Sequence, residues 1–252
     1  MKRPPQARFL GIDEFSLHKG HQYAVVIMDL GTGHVLYLAK GRKKQTVYDF
    51  IGFVGDEWMD GVEAVACDMN SDFQEAFEER CPHIQVVFDH FHIVQYFNRE
   101  VVDKARKDEQ ARLIKEGNTE GARSLKGSKY ILMSTKEARE RKDCEAEGYR
   151  RPEPKPSIFG GKAKEKRGGN TARYEELIRE NGTFFSLDLV KEKLNAAYKL
   201  DDEIKMADEI ASIMEFCQEC GNSHLQRFGK MLDRHWEGLV AHGYYRISSG
   251  RV

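Results

Sequence analysis

No apolar run in this 252-residue chain approaches the roughly 18 residues that a membrane-crossing helix requires. The first residues, Met1-Lys2-Arg3-Pro4-Pro5, lead into a short strand-like stretch rather than the apolar core of a signal peptide. An excess of charge of one sign is also missing. Forty Lys and Arg stand against forty-one Asp and Glu, for a net charge of −1. Any grip on nucleic acid must therefore come from local patches rather than a basic whole. Cysteine is scarce, and its five copies are an odd number, which fits reduced thiols in a cytoplasmic protein. The one CxxC, Cys217 to Cys220, has only His224 as an obvious third ligand, where a zinc site needs about four. The alternative is that Cys217 packs on a helix face with Ile210, Ile213 and Met214.

What the chain does have is enough apolar residue, 40%, to bury a real core. It also has an acid where packing would want an aliphatic side chain. In Phe9-Leu10-Gly11-Ile12-Asp13-Glu14-Phe15 strand alternation puts Leu10 and Ile12 on one face and Gly11, Asp13 and Phe15 on the other. A carboxylate among apolar neighbours calls for hydrogen bonds, a cation or a metal ion. Taken alone, Asp13 reads equally as a turn-capping acid or as a ligand.

The following residues spell a small α/β unit. Tyr23–Asp29 and His34–Leu38 flank Gly31-Thr32-Gly33 and read as a hairpin, so the first three strands form an antiparallel meander. Val47, Phe50, Ile51, Val54 and Trp58 recur at three- and four-residue spacings, predicting a helix over Thr46 to Asp60. Val62–Asp68 is a fourth strand, a helix capped by Ser71 follows, and Ile84–Phe88 is a fifth strand running into Asp89. A helical crossover between the third and fourth strands places the fourth parallel to something already in the sheet. If that neighbour is the first strand, Asp13 and Asp68 sit one strand spacing apart, about 4.8 Å by backbone. Two such carboxylates repel unless they share a proton or a cation, and a divalent metal ion with oxygen preference is the expected partner.

Gly11-Ile12-Asp13-Glu14-Phe15, Cys67-Asp68-Met69 and Val87-Phe88-Asp89-His90-Phe91-His92-Ile93-Val94 carry a resemblance. Together with the helical stretch and Gly238 to Val252, they resemble the catalytic domain of the ISL-type insertion-sequence transposases. These are DDE enzymes with a ribonuclease-H-like fold, similar to retroviral integrases. The resemblance implies a β-β-β-α-β-α-β mixed sheet, α/β in class, with a large all-helical insertion. It also implies phosphoryl transfer on DNA, in which two Mg²⁺ (or Mn²⁺) ions held by carboxylates activate the attacking oxygen and stabilise the leaving one. Asp13 matches the first acid of the family's triad and Asp68 the second, as catalytic groups and metal ligands. Asp89 and His92 match a motif in which Asp89 either supports the metal site or caps the helix that begins there.

From residue 93 the chain becomes helical and charged, giving an expected division into a core at 1–92, a helical subdomain at 93–240 and a lead-in at 241–252. A long helix is expected from Phe91 to about Glu116, and apolar stripes mark three more: Leu187 to Tyr198, Ile204 to Cys217, and Leu225 to Leu239. Residues 150–173 are rich in Pro, Gly and basic side chains, eight basic against two acidic. They read either as a phosphate-contacting loop or as a solvated linker. The candidate DNA contacts are Arg42, Lys43, Lys44, Lys162, Lys164, Lys166 and Arg167.

In the family a segment like Tyr245-Arg246-Ile247-Ser248-Ser249-Gly250-Arg251-Val252 leads into a helix opening with the third acid, a Glu. The expectation is thus a transposase catalytic domain cut at both ends, inactive alone, with metal bound weakly or singly. Transposon-end DNA, a second copy or a full-length transposase would be its partners. Two other classes stay open. One is a ribonuclease-H-like metal-dependent nuclease that uses another ligand such as Asp89. The other is a non-catalytic protein that pairs with full-length transposase.

Overall fold

The computed structural model describes residues 3–18, 22–41, 44–69, 71–148 and 169–251. Its chain divides into two compact units, Met1–Phe97 with Lys191–Val252, and Asn98–Val190.

The first unit is built on a five-stranded sheet of order β3-β2-β1-β4-β5. β1 (Phe9–His18), β2 (Gln22–Asp29) and β3 (Val35–Lys40) form the antiparallel meander. The Asp29 carboxylate stabilises its tight turn by accepting from the Gly31 N–H (2.9 Å) and the Thr32 hydroxyl (2.6 Å). α1 (Lys44–Val54) and α2 (Asp56–Met59) then cross to β4 (Ala64–Cys67), which lies parallel beside β1. The single helix expected over Thr46 to Asp60 is broken at Gly55, whose φ of 82° is open to glycine and strained for most other residues. α3 (Ser71–Arg80) returns the chain to β5 (Gln85–Phe88), parallel to β4. A mixed sheet of this order with helical crossovers is the ribonuclease-H-like α/β arrangement.

Alternation fixes which residues the sheet buries. Leu10, Ile12, Val65 and Cys67 are fully buried on one face. On the other, Ala64, Ala66 and Val87 form a small core with Ala241 and Ile247 from the end of the chain. Small side chains at 64 and 66 leave room for that return.

α4 (His90–Tyr96) runs into a π-helical segment, Phe97–Val102, and α5 (Asp103–Lys115) continues from it. The apolar period of Ile93, Phe97 and Val101 thus passes through a wider-turn stretch that the sequence reads as plain α-helix. The second unit continues with α6 (Thr119–Ser124), α7 (Lys129–Met133), α8 (Lys136–Gly148) and α9 (Asn170–Glu180). α8 and α9 are tied by Asp143, which accepts from the N–H groups of Asn170 (2.7 Å) and Thr171 (2.8 Å). The last residues of the basic Pro/Gly-rich stretch, 170–173, are therefore helical. Residues 150–168 lie outside the described ones.

Asp103, nearly buried, faces Arg106 (2.9 Å), Lys107 (3.0 Å) and Lys129 (3.4 Å). Burial raises its carboxyl, but the hydrogen bonds from Lys107 and Arg106 outweigh this and hold it at about 2. A carboxylate depressed in the folded state adds stability that is complete above its unfolded value of ~4 and is lost as pH falls towards 2. Asp103→Asn should accordingly cost about 1–2 kcal/mol at pH 7 and about a third of that near pH 2.5. Urea unfolding at the two pH values checks this, and an equal cost at both would contradict it.

α10 (Gly182–Ala197) leads back to the first unit, where α11 (Glu203–Glu219) and α12 (Ser223–Arg234) pack as a pair. Ile210, Ile213 and Cys217 of α11 and Leu225, Phe228 and Leu232 of α12 are all fully buried, and the Phe228 ring packs on that of Phe97 at 4.9 Å between centroids. Cys217 is core, with burial pushing its thiol up to about 12, as its place on the apolar stripe suggested. The expected third stripe helix breaks at His235, and α13 (Trp236–Val240) and α14 (His242–Tyr245) follow.

Candidate acid site at the ends of the parallel strands

β4 and β5 each run into an acid, Asp68 and Asp89, and the longer neighbouring strand β1 carries Asp13 midway along its length. Gly11 pairs with Ala66 and Ala66 with Val87, forming one row across β1, β4 and β5. Asp13, Asp68 and Asp89 each lie two residues past that row, so register alone brings them to one end and one face of the sheet. The anticipated pairing of β4 with β1 supplies this placement.

The three carboxyls differ in environment. Asp13 is half-buried; its Oδ1 accepts from the Glu14 N–H at 2.7 Å. Burial raises its carboxyl and the Asp89 charge adds to this; the Glu14 N–H and nearby His92 oppose it. Asp68 is half-buried just beyond β4, and its charge acts on the buried Cys67 thiol, pushed up by burial first and then by Asp68 and Asp89. Asp89 is only 1% exposed. Its Oδ1 caps α4 by accepting from the Phe91 N–H at 2.7 Å. Its Oδ2 accepts from the Ser248 hydroxyl (2.5 Å), the Ser249 hydroxyl (3.1 Å) and the Gly250 N–H (3.0 Å). Burial raises the Asp89 carboxyl, but these four donors outweigh it and the net shift is downward.

Near Asp89 lies a run of tilted rings, Tyr198 and His242 buried and His90 half-buried. His90 and Tyr198 have centroids 4.5 Å apart, and Tyr198 and His242 4.7 Å. Burial lowers both imidazoles and raises the phenol, so all three are uncharged at neutral pH. Sequence reasoning missed this run of rings and the serines at 248 and 249, whose partners lie more than 150 residues away.

Of the basic candidates, Lys44 is held by Glu75 (2.5 Å) and Glu79 (2.8 Å). Arg42, Lys43, Lys162, Lys164, Lys166 and Arg167 fall outside the described residues. Among the described residues no three His, Cys, Asp or Glu side chains converge into a group able to hold a metal ion. No described helix is long and apolar enough to cross a membrane. The donor chemistry of Asp13 and Asp68 nevertheless suits a hard cation. Both offer carboxylate oxygen, and Asp13 is half-desolvated beside another negative charge, with no Lys or Arg ion pair among the described residues.

A five-stranded mixed sheet of this order with helical crossovers defines a class, the ribonuclease-H-like α/β fold. The particular family follows from comparison: a profile of the DDE ISL3-type transposases, described as "Transposase", matches residues 10–252, and the chain belongs to that family. The chain is 32% identical over 136 residues to the transposase for insertion sequence element IS1001 of Bordetella parapertussis, covering 54% of this chain and 33% of that protein. It is 29% identical over 148 residues to the transposase for insertion sequence element IS1557 of Mycobacterium tuberculosis (strain CDC 1551 / Oshkosh), covering 52% and 33%. The match thus spans about a third of the length of these curated relatives. No solved structure matches the chain. DDE transposases typically use divalent metal ions.

Proposed function

We propose that Asp13 and Asp68 are two of the carboxylates with which a DDE transposase cleaves and joins transposon-end DNA. The observation that carries this reading is the shared register of the two acids, each two residues past the paired Gly11 and Ala66 of adjacent parallel strands. Both would hold a divalent ion, Mg²⁺ or Mn²⁺, which supplies charge neutralisation at the reacting phosphate and a more acidic bound water. The chain's own groups set its position. Asp13 is fixed by its contact with the Glu14 N–H, and His92 lies close to it.

A DDE site uses three acids acting as a unit, and losing one member of such a unit removes most of the catalysis. Within the described residues this reading assigns the metal to two carboxylates, Asp13 and Asp68, since both oxygens of Asp89 accept hydrogen bonds. We infer that the 252-residue polypeptide by itself holds metal weakly and does not turn over DNA. A second copy or a longer transposase completing the site is the partner this implies, together with transposon-end DNA. The working-nuclease alternative with Asp89 as third ligand is less favoured, because that carboxylate already accepts four hydrogen bonds.

Iron-directed cleavage tests the site. Fe²⁺ substituted for Mg²⁺, with ascorbate and peroxide, should cut the polypeptide near residues 13 and 68, and mass spectrometry reads the cuts. Asp68→Asn should abolish both. Cuts near 13 and 68 that survive Asp68→Asn, or a pattern that lacks them, would overturn the assignment.

A further inference from the structure

We propose that Asp89 is a positioning residue of the acid site: its carboxylate latches residues 248–250 beside the carboxyl ends of β4 and β5 and against β1, instead of binding metal. The proposal rests on the reading of Asp13 and Asp68 given above for its meaning, while the latch itself can be tested without it.

Asp89 is nearly fully buried, and a buried carboxylate must be satisfied. Its two oxygens divide the work. Oδ1 belongs to α4 through the Phe91 N–H, and Oδ2 gathers Ser248, Ser249 and Gly250 from 159 to 161 residues away. An acid at the end of a strand could hold a metal ion, but here three donors converge on the oxygen that would have to do so. Hydrogen bonds to a charged acceptor are among the stronger ones a protein makes.

The segment being held needs holding. Arg246 caps α14 at φ 50°, ψ 31°, left-handed backbone that a side chain adopts at a cost. That reversal sends Ile247 into the small core with Ala64, Ala66 and Val87, and delivers Ser248 to Asp89. The turn at Ser249–Arg251 then lies against β1, the strand that carries Asp13. The donors to Asp89 are two hydroxyls and two backbone N–H groups, so neutral donors carry the latch. Register puts Asp89 level with Asp13 and Asp68. Whatever the latch holds is therefore held beside them.

The test compares the full chain with Ser248→Ala/Ser249→Ala, Ser248→Thr/Ser249→Thr and Asp89→Asn. Hydrogen exchange at the Gly250 amide should quicken at least tenfold in the double alanine variant and in Asp89→Asn, while the double threonine variant, which keeps both hydroxyls, should exchange within threefold of wild type. In the iron-directed experiment, wild type should also be cut at residues 248–251. The double alanine variant should lose those cuts and keep the ones near 13 and 68, a separation that general unfolding would not produce. Mn²⁺ affinity should change less than threefold in the double alanine variant. Unchanged exchange at Gly250 in that variant would overturn the latch, and so would a loss of Mn²⁺ binding in Asp89→Asn as large as that in Asp13→Asn. Absence of all cuts near 13 and 68 would count against the acid site alone, with the exchange data still deciding the latch.

Discussion

Gly238→Ala lowers the unfolding free energy by about 3 kcal/mol, although glycine to alanine within a helix ordinarily raises it by up to ~1 kcal/mol. The reversal of sign comes from Phe88. A Cβ at position 238 would stand 2.5 Å from both Cδ2 and Cε2 of that ring. The ring is 1% exposed and packs edge-on against His235 at 5.0 Å between centroids, so it has nowhere to retreat. α13 must move off β5, and Phe88 is the residue immediately before Asp89. Phe88→Leu alone should cost about 1–2 kcal/mol, and adding it to Gly238→Ala should recover part of the loss, the mark of a direct contact. Denaturant titration of the four proteins measures the coupling. A Gly238→Ala protein within ~0.5 kcal/mol of wild type would contradict the close approach.

Asp13→Asn is expected to raise the melting midpoint of the metal-free protein while abolishing the rise that Mn²⁺ confers on wild type. The sign follows from the carboxyl's surroundings. Burial raises Asp13 above its ordinary value, and the Asp89 charge works in the same direction. A carboxyl raised in the folded state contributes its full stability below its unfolded pKa and loses it as pH rises through the folded one. At neutral pH ionised Asp13 is therefore a burden. Asparagine keeps the oxygen that accepts from the Glu14 N–H and removes the charge. A gain of about 1–3 °C is the scale for a fraction of a kcal/mol in a chain of this size. Mn²⁺ at ten times its Kd should stabilise wild type by about 1.4 kcal/mol and the variant by none. Calorimetry with and without Mn²⁺ reads both effects. A lower metal-free midpoint in Asp13→Asn would mean that the carboxylate is held by favourable partners.

The meander and the two parallel strands could be read from the sequence because alternation and glycine-flanked turns are local signals. Asp13 and Asp68 stood out for the same reason, each an acid following apolar strand residues, although β1 runs on past Asp13 to His18. What escaped was set by distance or by fine backbone geometry. Nothing near Ser248 announces Asp89, and nothing near Asp89 distinguishes a helix cap from a carboxylate that also gathers three donors from the end of the chain. The π-helical stretch at Phe97–Val102 keeps the apolar period of an α-helix, so periodicity could not reveal it. The breaks at Gly55 and His235 interrupt stripes whose apolar residues continue on either side.

The common row through Gly11, Ala66 and Val87 makes the site a matter of counting. Side chains change faces with each step along a strand, so one residue inserted between Ala66 and Asp68, or removed between Gly11 and Asp13, would turn an acid away from its fellow while leaving every amino-acid type in place. Substitutions nearby can be graded in their effects, but length changes in these three short segments are all-or-none. The stretches from Gly11 to Asp13, Ala66 to Asp68 and Val87 to Asp89 therefore behave as fixed spacers, and gains or losses of residues in this chain can accumulate only outside them.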